Sequence, residues 1–225
     1  MQKEPTEKKP GRRYSGLKAS ERISVRRDAL LEAGLQLFGT VGYQATSVKQ
    51  VCAEAGLSER YFYESFKDRQ RLLLAVYEGL VEGMRAATVD AIGTADGDEI
   101  PVQALDAFVG YLTADRRRAR LVLIEVMGVG PLLETRRHGV MREFAELIEA
   151  VWLDESAGGT ERMRRLVATA LAGAVNHLLV DWLLGEHDDT SDELVLVCVT
   201  LARAARAQLS NQTVQKRGFG CTTSV

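Results

Sequence analysis

The sequence predicts an all-α fold of about nine helices, and three observations carry that expectation. Apolar residues recur at i, i+3, i+4 and i+7 through most of the chain, the spacing of one helical face. Aromatic residues make up only 6% and prolines number four, which disfavours a many-stranded β architecture. Breaks bearing glycine, proline, serine or aspartate divide the periodic segments from one another.

Residues 1–20 hold two prolines, two glycines and six Lys/Arg with little apolar content, and read as a disordered basic arm. A helix starts near Ser20 and builds its face from Leu30, Ala33, Gly34, Leu37 and Phe38, ending at Gly39 and Gly42. Thr46 or Ser47 caps the next helix, whose buried face is Val48, Val51, Cys52 and Ala55. Gly56-Leu57 makes a tight turn, and Ser58 caps a third short helix, Glu59 to Ser65, anchored by Phe62 and Phe66. From Asp68 as cap, a long helix runs to about residue 92, followed by a loop over 93–99. Pro101 starts another helix, and further helices fall at roughly 117–128, 131–154, 161–185 and 191–209. The implied domains are a head at 21–67, a helical body at 68–211 and a flexible tail at 212–225.

A net charge of −2 hides an asymmetry. Residues 1–71 carry 14 Lys/Arg against 9 Asp/Glu, whereas residues 72–225 carry 15 against 22. A basic front end on an acidic body points to an anionic partner, with nucleic acid the commonest. Cys52, Cys198 and Cys221 lack CxxC spacing, so neither a disulfide framework nor a zinc site is expected, and a reducing cytoplasm fits. No apolar signal segment opens the chain. The apolar stretch 167–184 is interrupted by Asn176, His177 and Asp181, which argues against a membrane span.

Residues 46–66 combine a cap, a short helix, an Ala-Gly-Leu-Ser turn and a second short helix. A helix-turn-helix needs these parts: a small residue (Cys52) where the helices approach, a glycine (Gly56) that reverses the chain, and Leu57 to plug the gap. The run from Thr46 to Ser58, with Phe62-Tyr63, Phe66-Lys67-Asp68, Leu72 and the preceding Leu37-Phe38-Gly39 and Gly42-Tyr43, resembles the DNA-binding domain of the TetR (tetracycline-repressor-like) transcriptional regulators. That resemblance covers roughly residues 22–75. It implies a three-helix DNA-binding head on an α-helical dimerisation and ligand-binding domain.

Carried over by position, Thr46, Ser47, Ser58, Tyr63 and Lys67 fall where such regulators meet backbone phosphate, a task suited to hydroxyls and cations. Base readout falls to Glu59, Arg60 and Tyr61, with Lys49 assisting; an arginine there suits guanine O6/N7. Glu64 faces phosphate unfavourably unless it pairs with an arginine. The basic arm places Lys8, Lys9, Arg12 and Arg13 along phosphates, or else stands solvated.

In the body, Leu194, Val197, Cys198, Leu201, Ala204, Ala205 and Gln208 share one stripe, and Ala168, Ala170, Ala172, Gly173 and Ala174 offer a small-residue face. The resemblance implies a homodimer through these last two long helices, reading a palindromic or near-palindromic duplex operator, with a small-molecule effector. Leu105, Phe108, Leu112, Val122, Val126, Phe144, Ile148 and Trp152 are the candidate apolar lining of its pocket. Glu125, Asn176, His177 and Asp181 are the candidate polar features, and Arg116-Arg117-Arg118 and Arg136-Arg137 read as solvated faces. The expected function is a cytoplasmic, sequence-specific DNA-binding repressor released by ligand. Three histidines and no nucleophile elbow, HExxH, P-loop or dinucleotide motif speak against an enzyme. A DNA-binding-deficient ligand-binding or protein-interaction adaptor is the alternative, kept open by Glu59 and Glu64.

Overall fold

The computed structural model describes residues 19–95, 97–185 and 190–218. Lys8, Lys9, Arg12 and Arg13 of the basic arm lie outside the described residues, as do His187 and Cys221. The described residues form nine α-helices and no strand: α1 (Ala19–Thr40), α2 (Val48–Glu54), α3 (Glu59–Ser65), α4 (Arg69–Thr94), α5 (Ile100–Thr113), α6 (Arg116–Arg120), α7 (Pro131–Trp152), α8 (Glu161–Leu184) and α9 (Ser191–Gly218).

Helix α4 is the axis of the molecule. Asp68 caps it by accepting from the Arg71 amide at 2.8 Å. Its buried residues Leu72, Leu73, Val76, Tyr77, Leu80, Val81, Met84 and Thr88 recur at helical spacing. The first of them pack with α1 and complete the head, while the rest of the helix lies along α5 in the body. In the body α7 packs on α8, α8 on α9, and α9 on α5. Helix α8 is apolar enough by length and composition to cross a membrane. Here that apolarity is divided between buried Ala168, Ala172, Val175, Leu179 and Leu183 and exposed Leu166 and Leu184.

The structure departs from the sequence expectation in three places. The helix expected over 117–128 is a short α6 followed by one π-helical turn, Leu121–Glu125. The widened turn buries both Leu121 and Leu123. Gly128 and Gly130, with φ of +69° and +154°, then reverse the chain into α7. Helix α9 runs to Gly218, past the end expected near residue 209.

Gly39 does not end α1, which continues to Thr40; the reversal falls at Gly42, with φ of +98°. Gly39 instead sits where α1 and α6 touch. A Cβ there would lie 2.6 Å from the Arg117 Cβ and 2.8 Å from its Cα. Backbone cannot yield as a side-chain tip does, so Gly39→Ala is expected to cost about 1–3 kcal/mol of stability. Urea unfolding followed by far-ultraviolet circular dichroism measures it; an unchanged midpoint would show that the two helices separate freely.

Candidate nucleic-acid interface and effector cavity

Ser47, not Thr46, caps α2. Its hydroxyl accepts from the Gln50 amide at 3.2 Å, and the Gln50 side-chain oxygen accepts from the Ser47 amide at 2.8 Å, a reciprocal capping box. Thr46 is buried; its hydroxyl donates to the Gly42 carbonyl at 2.7 Å, so it is turned inward. Gly56 takes the left-handed conformation, φ +65°, and the Leu57 amide closes back on the Cys52 carbonyl at 2.9 Å. Ser58 holds the extended cap backbone of α3 while its side chain makes no cap hydrogen bond, leaving the hydroxyl exposed.

Beneath the two short helices, Val51, Cys52 and Phe62 are buried, and Phe62 meets Phe66 at 5.9 Å between ring centroids. Burial, reinforced by the Glu59 charge, raises the Cys52 thiol pKa, so it serves as packing rather than as a nucleophile. Above them, Glu59, Arg60, Tyr63, Glu64, Lys49 and Lys67 are exposed on the outer surface. Tyr61 is half-buried with the Arg26 guanidinium 4.2 Å from its ring centroid. Glu64 pairs with Arg60 at 3.2 Å and with Arg26 at 3.7 Å, as its expected pairing requires. Arg69 lies over the Tyr43 ring and donates to the carbonyls of Tyr43 and Thr46, pinning the segment that leads into α2.

The arginines of 116–118 are not a solvated face. Arg117 pairs with Asp115 at 2.7 Å and reaches α1 through Gln36 at 2.5 Å and Glu32 at 3.6 Å. Its hydrogen bonds hold the Asp115 carboxyl below the usual carboxylate range. Arg116 donates to the Leu183 carbonyl at 2.8 Å and Arg118 stacks on Tyr111. Arg136 pairs with Glu143 at 2.7 Å, and Arg137 pairs with Glu134 at 3.4 Å. The carboxylates of Asp115, Glu143 and Glu134 and the open carbonyl in the last turn of α8 spend these guanidinium groups within the fold.

Glu125 also falls elsewhere than expected. It accepts from the Tyr43 amide at 2.7 Å and from Arg120 at 2.9 Å, while Arg120 donates to the Thr40 carbonyl at 2.8 Å. The residue therefore latches the body to the end of α1 and does not line the cavity.

That cavity, of about 100 Å³, lies between α4, α5, α7, α8 and α9. Of the expected lining it takes Leu105, Phe108, Leu112, Val122, Phe144, Ile148, Trp152 and Asn176. Val126 is fully buried outside it, and His177 is exposed on the outer face of α8. The lining also includes Tyr77, Met84, Thr88 and Met141, which helical spacing alone marks only as core, and Arg137, which the sequence places on a solvated face. Phe108 and Phe144 meet edge to face at 4.8 Å. Burial pushes the Tyr77 phenol up to about 12, against the pull of Arg136 and Arg137, so it stays protonated as a donor at neutral pH. Asn176 is half-buried and makes no hydrogen bond among the described residues.

Residues 30–76 match the family described as bacterial regulatory proteins, tetR family. The chain is 22% identical over 212 residues to the HTH-type transcriptional regulator AcrR of Shigella flexneri, covering 84% of this chain and 97% of that one. It is 28% identical over 98 residues to the HTH-type transcriptional activator FasR of Mycolicibacterium smegmatis, covering 43% and 45%. Among solved structures, the fold is similar to the transcriptional regulator FadR of Bacillus subtilis in complex with stearoyl-CoA, with a TM-score of 0.67 at 14% identity, covering 80% of this chain and 97% of that one.

Two substitutions test this local architecture. Ser47→Ala removes one half of the capping box and is expected to cost about 1 kcal/mol. Glu125→Ala removes the acceptor of the Tyr43 amide and one of the two partners of Arg120, and is expected to cost about 1–3 kcal/mol. Chemical denaturation of each variant gives the values, and the double variant with Arg120→Ala should recover part of the second loss.

Proposed function

Because the chain belongs to the TetR family of bacterial transcriptional regulators, we propose that it is a homodimeric, non-enzymatic repressor acting in the cytoplasm, released from its operator by a small molecule. The observation that carries the reading is the exposed surface of α3, rigidly seated through Phe62 yet offering Glu59, Arg60 and Tyr63 to solvent. On this reading α3 enters the major groove, where Arg60 reads guanine and Glu59 and Tyr61 adjust the choice, with Lys49 beside them. Ser47, Ser58, Tyr63 and Lys67 hold phosphates, and Thr46 positions the start of α2 from inside.

Arg60 has to leave Glu64 to reach a base. Arg26 remains beside Glu64 and keeps that carboxylate partnered when it does. This exchange makes an acidic residue tolerable on a surface facing DNA.

One short recognition helix touches few base pairs, and a two-fold pair reads two half-sites. Exposed Leu166 and Leu184 on α8, with Val197 and Leu201 on α9, support dimerisation through those helices. Dimerisation also gives the operator its palindromic or near-palindromic form.

The effector reading rests on the cavity. At about 100 Å³ it is narrower than ordinary ligand pockets of roughly 300–1,000 Å³. An occupant must therefore part the helices around it, and α4 is one of them. Displacement of α4, or of the α6 segment latched to α1, changes how the heads sit, so ligand and operator oppose each other reciprocally. The lining runs on α7 from Arg137 to Trp152, roughly 22 Å by helical rise. A slender apolar chain fits that shape; the Bacillus subtilis regulator of similar fold is in complex with stearoyl-CoA, which carries such a chain.

Fluorescence anisotropy against DNA from the chain's own promoter, with scrambled competitor and two salt concentrations, tests DNA recognition. Saturable binding that survives the competitor is expected; binding no better than to scrambled DNA would favour an adaptor that has lost operator recognition. Lys67→Ala should weaken binding uniformly and lower the salt slope by about 1. Arg60→Ala should cost about 1–3 kcal/mol at one base position only. Val197→Glu should shift the protein to monomer in sedimentation velocity, and a promoter reporter with and without the regulator gives the sign of regulation.

A further inference from the structure

The apolar cavity meets a second, wider hollow at the end remote from the head. Pro101, Val151 and Trp152 line both, and the outer hollow measures about 600 Å³. It lies between the start of α5, the end of α7 and one flank of α9.

Two guanidinium groups stand in the outer hollow, and they differ in one respect. Arg206 is engaged: it donates to the Trp152 carbonyl at 2.5 Å and the Ser156 hydroxyl at 2.7 Å, and pairs with Asp154 at 3.5 Å. Asp154, held below the usual carboxylate range by Ser156 and by Arg206, is ionised and balances that charge. Arg203 is exposed and makes no hydrogen bond or ion pair among the described residues. Leu201 and Ala202, the residues just before it on α9, line the apolar cavity. An unspent cation thus stands beside the outer end of an apolar channel.

A polar head cannot enter the channel without losing its water, whereas a chain gains by leaving water. The two hollows suit a molecule divided in the same way. We propose that the effector is a long-chain amphiphile with an anionic head, its chain in the apolar cavity and its head in the outer hollow against Arg203. The proposal rests on the reading of the inner cavity as the effector site. A guanidinium takes a carboxylate or a phosphate in the same forked geometry, so either head satisfies it.

Trp152, which lines both spaces, supplies the probe. On a Trp182→Phe background, its emission is followed while full-length protein is titrated with hexadecanoate, hexadecyl phosphate or hexadecanol below their aggregation limits. The two anions should bind more tightly than the alcohol. Arg203→Gln should weaken them roughly tenfold and leave the alcohol unchanged, with the more strongly affected anion naming the head. Equal affinities in Arg203→Gln and its parent for both anions, or an equal loss for the alcohol, would overturn the anionic head while leaving the apolar channel intact. Failure of all three chains to perturb Trp152 would overturn the channel itself as the effector site.

Discussion

Two helices of seven residues are too short to persist in water by themselves, and the head exists because their undersides are buried. Phe62, Val51 and Cys52 are shut between the two short helices and α1, and only then does the outer face of α3 acquire a fixed orientation. Everything that α3 offers to a partner depends on that burial. The Arg69 clamp on the carbonyls of Tyr43 and Thr46 extends the same control to the segment leading into α2. A recognition surface made of long, mobile side chains therefore stands on a base made of rings and short aliphatic groups.

The head is tied to the body in two places that differ in kind. Along α4 the connection is a continuous helix, stiff on the scale of its hydrogen bonds. At the end of α1 it is a polar seam in which Gly39 admits the α6 backbone and Glu125, Arg117 and Arg120 reach carbonyl, amide and side-chain partners. Directed hydrogen bonds of this sort hold one geometry and weaken steeply away from it. On the proposed reading, a body that widens around a ligand would bend one connection and break the other, and the π-helical turn lies between the cavity and the seam.

The apolarity of the body serves two purposes that would conflict in a solid core. Residues of α8 and α9 face inward onto a narrow cavity on one side and expose leucine and valine on the other. Packing a second copy on the exposed side would leave the cavity wall supported from behind, so a ligand that pushes outward meets resistance and transmits its displacement along α4 instead.

The sequence by itself determined the helical class, the position of each major helix, and the head with its turn, because these follow from local periodicity, caps and a glycine at the reversal. It also marked Leu105, Phe108, Phe144 and Trp152 as inward-facing body residues through apolar spacing, whereas a pocket among them was implied only by the family resemblance. It left open which of Thr46 and Ser47 is the cap, and only the tertiary fold decided it, by burying Thr46 beneath the Arg69 clamp. The same holds for Glu125, Arg117 and Arg120. Their partners lie about 80 residues away along the chain, at Gln36, Thr40 and Tyr43, and no local pattern encodes a pairing made across that distance. The direction in which a charged side chain is spent depends on which carbonyl or carboxylate the completed fold brings beside it, and that is settled only when the helices have packed.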